Sequence, residues 1–192
     1  MRLPVLLVAA SLLGACATAA PTASAPAAAR VQPDVAHFFP LAVGNSWTYQ
    51  TRFGGKVERN TVRIEEKQGG YFRDNQRGAL AFDGEGLRDE RRYLILGPVA
   101  PGTTWESLLE DGKRERYEIV KTNASVEVPA GRFEGVLLVR GITPVDAATS
   151  LEMEWAYAPG VGLIRLASAA LVGGRDRIPQ ATIELLEFRL AR

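Results

Sequence analysis

The stretch LEMEWAYAPGVGLIRL, Leu151–Leu166, decides the fold class of this chain. Its first half alternates apolar and acidic residues, which is the period-two pattern of a strand with one buried face. Pro159-Gly160 fits the centre of a type II turn, and the apolar run after it predicts a returning antiparallel strand. The segment therefore predicts a β-hairpin. The apolar face of its first strand holds Leu151, Met153, Trp155 and Tyr157, and the opposite face holds Glu152 and Glu154.

The same alternation, interrupted by glycine, recurs on both sides of this hairpin. Trp47 and Tyr49 share one face of a run that ends at Gly54-Gly55, which predicts another hairpin turn. The C-terminal run changes phase, because Leu185 lies on one face of the expected strand and Phe188 on the other. A β-bulge near Leu185-Leu186 would place both on the same face, so we expect one there.

Turn signals divide the region after residue 33 into roughly eight to ten strands, spaced by roughly 8–15 residues. Two segments are candidates for short helices. One is Asp34–Val43, and the other is Thr103–Glu110, with Thr104 as its cap. The sequence therefore predicts a mainly β protein. Residues 34–192 are expected to form one domain, a single strongly curved antiparallel sheet, half-barrel or barrel, with one or two short helices.

Residues 1–15 have the three parts of a signal peptide: a basic start, an apolar run over Leu3–Leu13, and a small-residue end. The apolar run is shorter than the roughly 20 residues that a membrane-spanning helix needs. Cys16 follows directly as the only cysteine, and LGAC at Leu13–Cys16 resembles the lipobox of bacterial lipoproteins. The resemblance implies that the leader is removed and that the Cys16 thiol carries the lipid anchor. A plain secretory leader with an incidental cysteine is the alternative.

Residues 16–33 join the lipidated cysteine to the folded region. They are rich in Ala, Pro, Ser and Thr and show no apolar period, which predicts a flexible linker. In lipoproteins of bacteria with two membranes, an aspartate after the cysteine tends to retain the protein in the inner membrane, and Ala17 stands there instead. The resemblance thus implies an envelope protein held by palmitate and related chains on the outer membrane, facing the periplasm, if the host has two membranes.

Three further phrases carry a second resemblance. They are FFPLAVGNSWTYQ from Phe38, VEVPAGRFEGVLLV from Val126 and EWAYAPGVGLIRL from Glu154. The set resembles bacterial envelope proteins of a domain-of-unknown-function group whose half-barrel is likened to the carriers of lipoprotein localisation. This resemblance implies curved antiparallel strands around an apolar cavity closed by short helices. It brings no catalytic motif, and the phrases also fit plain core and turn positions.

The charged residues indicate neither nucleic-acid binding nor catalysis. The 23 basic residues balance 22 acidic ones and alternate with them in sign, so no basic face for nucleic acid is expected. His37 is the only histidine, too few for a zinc site of side chains and outside any triad-like motif. We predict no enzyme, metal or cofactor. The candidate pair for an alternative, carboxylate-dependent hydrolase is Glu152 with Glu154, and the other close pairs are Asp83 with Glu85 and Asp89 with Glu90.

Two non-catalytic functions remain. In the first, the sheet binds an apolar ligand or an exported lipoprotein in its interior. In the second, the protein is a scaffold of an outer-membrane assembly and presents a strand edge or loop surface to an envelope protein. A cavity in the sheet would favour the first function and a solid core the second. The aromatic residues expected to line a ligand site are Trp47, Tyr49, Trp105, Trp155, Tyr157 and Phe188.

Overall fold

A computed structural model describes residues 34–109 and 112–191 of the chain. Apart from one 3₁₀ turn, its regular elements are β-strands. In chain order they are η1 (Val35–Phe38), β1 (Ser46–Phe53), β2 (Lys56–Gln68), β3 (Tyr71–Asp74), β4 (Ala79–Phe82), β5 (Gly86–Arg88), β6 (Tyr93–Leu96), β7 (Thr104–Leu108), β8 (Arg114–Val128), β9 (Gly131–Pro144), β10 (Thr149–Ala158), β11 (Gly162–Val172) and β12 (Asp176–Arg189).

The twelve strands form one antiparallel sheet in the order β6-β5-β4-β3-β2-β1-β12-β11-β10-β9-β8-β7. The two edges, β6 and β7, are consecutive in the chain. In a flat sheet with ~4.8 Å between strands the edges would lie about 53 Å apart. The eight Cα–Cα steps from Leu96 to Thr104 span at most about 29 Å. The sheet therefore curves into a nearly closed, barrel-like wall, and the predicted fold class is confirmed.

The predicted hairpin at Leu151–Leu166 forms as β10 and β11, joined through Pro159-Gly160. Gly160 has φ +67°, as the third residue of a type II turn requires. Gly54 and Gly55 join β1 to β2 with φ values of +54° and +79°. Two consecutive positive φ angles define the type I′ turn, whose twist matches that of the flanking strands.

The predicted bulge in the last strand is also present. Thr48 of β1 pairs with Glu187, whereas the next residue, Tyr49, pairs with Leu185, so Leu186 is the extra residue. The bulge puts Leu185 and Phe188 on the same side of the sheet despite their odd separation. The two phases of the C-terminal sequence are thereby reconciled.

Two sequence predictions are wrong. Thr103–Glu110 is a candidate helix by its sequence, but Thr104–Leu108 forms strand β7, paired along its length with β8. Its β-branched and aromatic residues suit a strand, and pairing decides between two weak local patterns. The strands number twelve rather than eight to ten, since short segments such as β5 carry little pattern. The short helical turn expected in Asp34–Val43 is present as η1. In the described residues no helix is long and apolar enough to cross a membrane.

The outer face of the wall is polar. It carries arginine–carboxylate pairs that link neighbouring strands, such as Arg52 with Glu184 at 2.6 Å. Exposed pairs of this kind each contribute little to stability, about 0–1 kcal/mol, but they keep the outer face solvated. Further pairs on the described strands are Arg59 with Glu187, Arg140 with Glu118, Arg165 with Glu154 and Arg177 with Glu152.

The antiparallel order gives the wall two ends. At the proximal end the chain enters through η1, where the backbone N–H of Gly160 donates to His37 O at 2.7 Å. The turns at 129–130 and 159–161 also lie at this end. The distal end carries the turns at 54–55, 145–148 and 173–175. Residue 34, where the described chain begins, is therefore at the end opposite these three turns.

Candidate functional site

Five of the six aromatic residues predicted to line a ligand site are buried, with between 1% and 8% of each residue exposed. They are Trp47, Tyr49, Trp105, Trp155 and Tyr157. Their side chains contact one another or other core residues, so they form two packed groups inside the wall. Whether any of them contacts a ligand stays a prediction.

The first group lies at the proximal end. The ring of Phe39 contacts Trp47 at 5.3 Å and Tyr157 at 6.3 Å between centroids. The indole N–H of Trp47 donates to Val161 O at 2.7 Å, and the hydroxyl of Tyr49 donates to Leu163 O at 2.9 Å. The backbone satisfies the polar tips of Trp47 and Tyr49, and the rings contact one another, so this group is a packed part of the core.

The second group lies beside the two sheet edges. Trp105 stacks on Tyr117 at 5.2 Å with an interplanar angle of 2°, and Tyr117 contacts Trp155 at 5.8 Å. Gly141 makes room for this arrangement, since a Cβ there would lie only 2.8 Å from Cζ3 of Trp155. The rings therefore pack so closely against the backbone that only glycine fits at position 141.

Phe188 does not join either group. It is 37% exposed and contacts the ring of Phe133 at 6.4 Å. Although Phe188 pairs in register with Trp47, its strand position is closer to the chain terminus, where less structure covers it. The sequence therefore predicted which face of the sheet Phe188 occupies, but not its exposure.

Side chains close the boundary between β6 and β7, which we call the seam. No backbone ladder joins the two strands in the described part of the sheet. Instead the indole N–H of Trp105, on β7, donates to Tyr93 O, on β6, at 3.0 Å. Just before β6, Arg92 reaches across to β8. The seam is thus held by a few directed contacts, whereas every other pair of neighbouring strands shares a backbone ladder.

The Arg92 contacts surround a buried carboxylate. Glu115 is 3% exposed, and its Oε2 accepts from Arg92 Nη1 at 2.5 Å and from the hydroxyl of Tyr117. Arg92 Nη1 also donates to the Tyr117 oxygen at 2.9 Å. Burial, together with the hydrogen bond to Glu115, raises the pKa of Tyr117 well above its usual range. The three side chains form a closed ionic group, which we call the seam triad.

The seam triad was not predicted from the sequence. The run around Glu115 alternates charges, which only indicated that no basic face for nucleic acid forms there. Glu115, Tyr117 and Ile119 share one strand face, however, and Tyr117 and Ile119 are 1% and 0% exposed. The sequence therefore did contain one sign of the buried carboxylate, since an acidic residue shares a strand face with two core residues. Its partner Arg92 lies in a distant loop, and nothing local identifies it.

Two open grooves lie near the distal end, and charged residues rather than aromatic ones dominate both. The seam groove, of about 580 Å³, separates the loop before β6 from the end of β7. The second groove, of about 640 Å³, lies beside β7, β8 and β9. The seam groove is lined by Arg77, Gly78, Ala79, Asp89, Glu90, Arg91, Arg92, Ser107, Leu108 and Leu109, and the second includes Glu106, Lys113, Arg114, Arg116, Arg140 and Ile142.

The candidate hydrolase carboxylates are engaged in ion pairs. Glu152 accepts from Arg177 at 2.6 Å, and Glu154 accepts from Arg165 at 2.8 Å. These contacts give both residues a structural role on the outer face, and the hydrolase alternative stays a prediction. Among the described residues, no group of three or more His, Cys, Asp or Glu side chains could hold a metal ion.

The other acidic pairs organise turns. The carboxylate of Asp83 accepts the Tyr93 hydroxyl at 2.7 Å, and this hydrogen bond contributes most to lowering the pKa of Asp83. Asp89 accepts two backbone N–H groups in the loop before β6. His37 lies in η1 with its ring against Phe38 at 5.4 Å. Cys16, the predicted site of lipidation, lies outside the described residues.

Exposed apolar side chains concentrate at the distal end. Of the nine large apolar residues that are exposed in the described part of the chain, six lie beside the distal turns or at the distal ends of strands. Exposed apolar residues grouped in one region often mark contact surfaces. We call these six the distal rim: Phe53, Val57, Leu108, Val145, Val172 and Ile178.

Comparison with known proteins gives one structural likeness. Neither a family model nor a curated protein matches the sequence. The fold is similar to the crystal structure of a "putative lipoprotein" from Parabacteroides distasonis ATCC 8503, with 13% identity and a TM-score of 0.42. The match covers 82% of this chain and 100% of that chain. A likeness at this level transfers no function, and the envelope family suggested by the three sequence phrases stays a prediction.

Proposed function

We propose that this chain is a lipid-anchored protein of the cell envelope whose barrel-like domain is a non-catalytic interaction module. Its distal end would contact another envelope protein, while acyl chains on Cys16 hold the molecule on a membrane, in a diderm host the outer one. This is the scaffold function that the sequence left open. The anchor rests on the lipobox-like LGAC, since several acyl chains together give stable membrane attachment.

The position of the distal rim is the observation that carries the proposal. Six exposed apolar side chains lie at the end opposite residue 34, where the linker joins. A tether at the proximal end leaves the distal end free to meet a partner. Apolar residues exposed to water at that end are hard to explain by folding alone, because their burial would be favourable.

The packed interior favours an interaction module over a carrier of apolar ligands. A carrier needs an apolar space of about 300–1,000 Å³ that encloses most of its ligand. Here Trp47, Trp155 and Tyr157 are at most 5% exposed and contact other rings. A ligand among them would have to displace side chains that now satisfy one another.

The anchor is tested by metabolic labelling with palmitate. The wild-type protein should carry the label and sediment with membranes. The Cys16→Ser variant should do neither, because serine cannot form the thioether to diacylglycerol. Unlabelled wild-type protein in the soluble fraction would contradict the lipid anchor and leave the plain secretory leader as the explanation of residues 1–16.

The interaction module is tested by native mass spectrometry of the protein after gentle extraction. We expect the mass of the acylated chain with no additional lipid, since the interior is packed. In-cell cross-linking from a photoreactive residue at Phe53 should yield one discrete adduct, and a residue at Glu65, exposed on β2 away from the distal turn, serves as control. A stoichiometric co-purified lipid, or equal diffuse labelling from both positions, would contradict the proposal.

A further inference from the structure

Strand β7 has backbone groups that face the seam without a partner. Its register with β8 places Leu109 opposite Lys113, and the N–H of Leu109 donates to Lys113 O at 2.8 Å. The backbone groups of successive strand residues point to opposite sides. Those of Glu106 and Leu108 therefore point away from β8, and they make no backbone hydrogen bond within the described part of the chain.

The loop across the seam groove uses three of its N–H groups internally. The backbone N–H groups of Arg91 and Arg92 both donate to Oδ1 of Asp89, at 2.8 Å each. The N–H of Asp89 donates in turn to Arg92 O at 3.0 Å. These donors are therefore not directed at β7, and the seam groove of about 580 Å³ lies between the loop and β7.

The open edge of β7 is short, with five residues, but it carries no proline, lysine or bulge. Exposed edges are commonly blocked by proline, lysine, a bulge or a covering loop. Leu108 is instead an apolar residue that is 67% exposed. The side chain of Glu106 is drawn to the outer face, where it pairs with Arg114 and Arg116. The distal half of β7 is therefore an accessible template for another strand.

We propose that the seam groove binds an extended acidic segment of a partner protein, which adds beside β7 as a further strand. This inference rests on the proposed function and assigns its contact site. Alternating N–H and C=O groups along an edge select an extended peptide, because its own backbone has the matching alternation. An apolar residue of the segment would cover Leu108, which belongs to the distal rim.

The charge around the groove favours an acidic segment. The lining contains Arg77, Arg91 and Arg92 against Asp89 and Glu90. Arg92 is committed to the seam triad, whereas the Arg77 side chain makes no ion pair among the described residues. Arg77 also has φ +69°, so it projects from a tight turn at the rim of the groove. A carboxylate on the incoming segment could pair with this guanidinium.

The test uses the full acylated chain, labelled with ¹⁵N in detergent micelles, and a capped octapeptide of alternating valine and glutamate. We expect the peptide to shift the amide signals of Glu106 and Leu108, and an alternating valine–lysine peptide to bind roughly tenfold more weakly because its charge is reversed. Leu108→Pro deletes an N–H that faces the seam and is tolerated at a strand edge. It should weaken binding roughly tenfold, whereas Leu108→Val, which keeps both the N–H and an apolar side chain, should bind like the wild type.

Three results would overturn the assignment. They are an absence of shifts at Glu106 and Leu108 at millimolar peptide, equal binding by Leu108→Pro, and shifts confined to the groove around Arg116. The amide spectrum of Leu108→Pro outside β7 shows whether that variant is folded, and if it is not, the charge-reversed peptide still decides.

Failure of this assignment leaves the anchored interaction module standing, because the distal rim could bind a partner in another way. A lipid found by native mass spectrometry would overturn that function whatever the peptide does.

Discussion

The wall of long strands and the seam belong to one sheet but are held together differently. The long-strand part of the wall, β8 to β12 with β1 and β2, has strands of 8 to 15 residues joined by backbone ladders. The seam joins β6 and β7, of 4 and 5 residues, through the Trp105 indole and the seam triad. Backbone pairing gives the wall its stability, whereas the seam depends on a few side chains and leaves an edge available for binding.

The largest expected effect is the loss of a wall aromatic. Trp47→Ala removes a side chain that is 1% exposed and leaves Val161 O without its donor. We expect a loss of about 3–5 kcal/mol in the free energy of unfolding, measured by urea denaturation. Phe188→Ala, on the same sheet face but 37% exposed, should cost about 1 kcal/mol. Equal losses would mean that burial does not distinguish the two positions.

Alkaline pH should weaken the wall and the seam together. Burial raises the pKa of Tyr49, Tyr117 and Tyr157 in the folded protein. An unfolded tyrosine ionises near pH 10, so the stabilising effect is full below pH 10 and is lost as the pH rises above it. The loss is about 1.4 kcal/mol per pH unit for each tyrosine. Urea midpoints between pH 8 and 11, with tyrosinate absorbance, measure it.

The order of ionisation shows whether the seam opens independently. If the seam opens before the wall unfolds, the difference in tyrosinate absorbance between the wild type and Tyr117→Phe should begin to rise before the loss of β-sheet circular dichroism. The Tyr117→Phe variant should then lose this early component, while the components of Tyr49 and Tyr157 follow unfolding. A single coincident transition in both proteins would show that the seam has no independent opening.

The seam triad should contribute less than the wall. Glu115→Gln removes the charge that Arg92 and Tyr117 share while keeping the side-chain shape, and we expect a loss of about 1–3 kcal/mol. Glu118→Gln is the matched control, since Glu118 lies on the same strand and pairs with Arg140 on the exposed face. Its expected cost is about 0–1 kcal/mol. If Glu115→Gln left the free energy of unfolding unchanged, the seam triad would not be what closes the seam.

The smallest effect is expected from the Trp105 indole. Trp105→Phe deletes the hydrogen bond to Tyr93 O and should cost about 1 kcal/mol. Its distinctive result is local: the amides of β6 and β7 should exchange hydrogen faster, while those of β10 and β11 keep the wild-type protection. Faster hydrogen exchange at the amides of all strands would show that the indole stabilises the whole sheet and not the seam in particular.

The sequence predicted the wall well and the seam poorly, for a physical reason. Residues 151–166 and Gly54-Gly55 carry local patterns, alternation and turn chemistry, that determine hairpins without reference to distant parts of the chain. The β-bulge at Leu186 was likewise predictable from a change of phase within one run. Elements whose pattern is complete in a short window are therefore accessible from sequence alone.

The seam depends on contacts between residues far apart in sequence. Pairing with β8 decides whether Thr103–Glu110 becomes helix or strand, and the buried Glu115 is paired with Arg92 across the seam. Aromatic content predicted which side chains face inward but not whether they enclose a space. That property depends on how closely side chains pack over the inner face, as at Gly141, where a Cβ would meet the ring of Trp155 on the neighbouring strand.

Tryptophan fluorescence in the presence of 9,10-dibromostearate tests the proposal that the packed interior takes up no apolar ligand. Bromine quenches an indole only at close contact, and the indoles of Trp47, Trp105 and Trp155 belong to residues that are at most 7% exposed. In the non-acylated Cys16→Ser protein, free of detergent, we predict that emission is unchanged up to saturating dibromostearate. Saturable quenching at one equivalent would contradict the account and identify the chain as a carrier of apolar ligands.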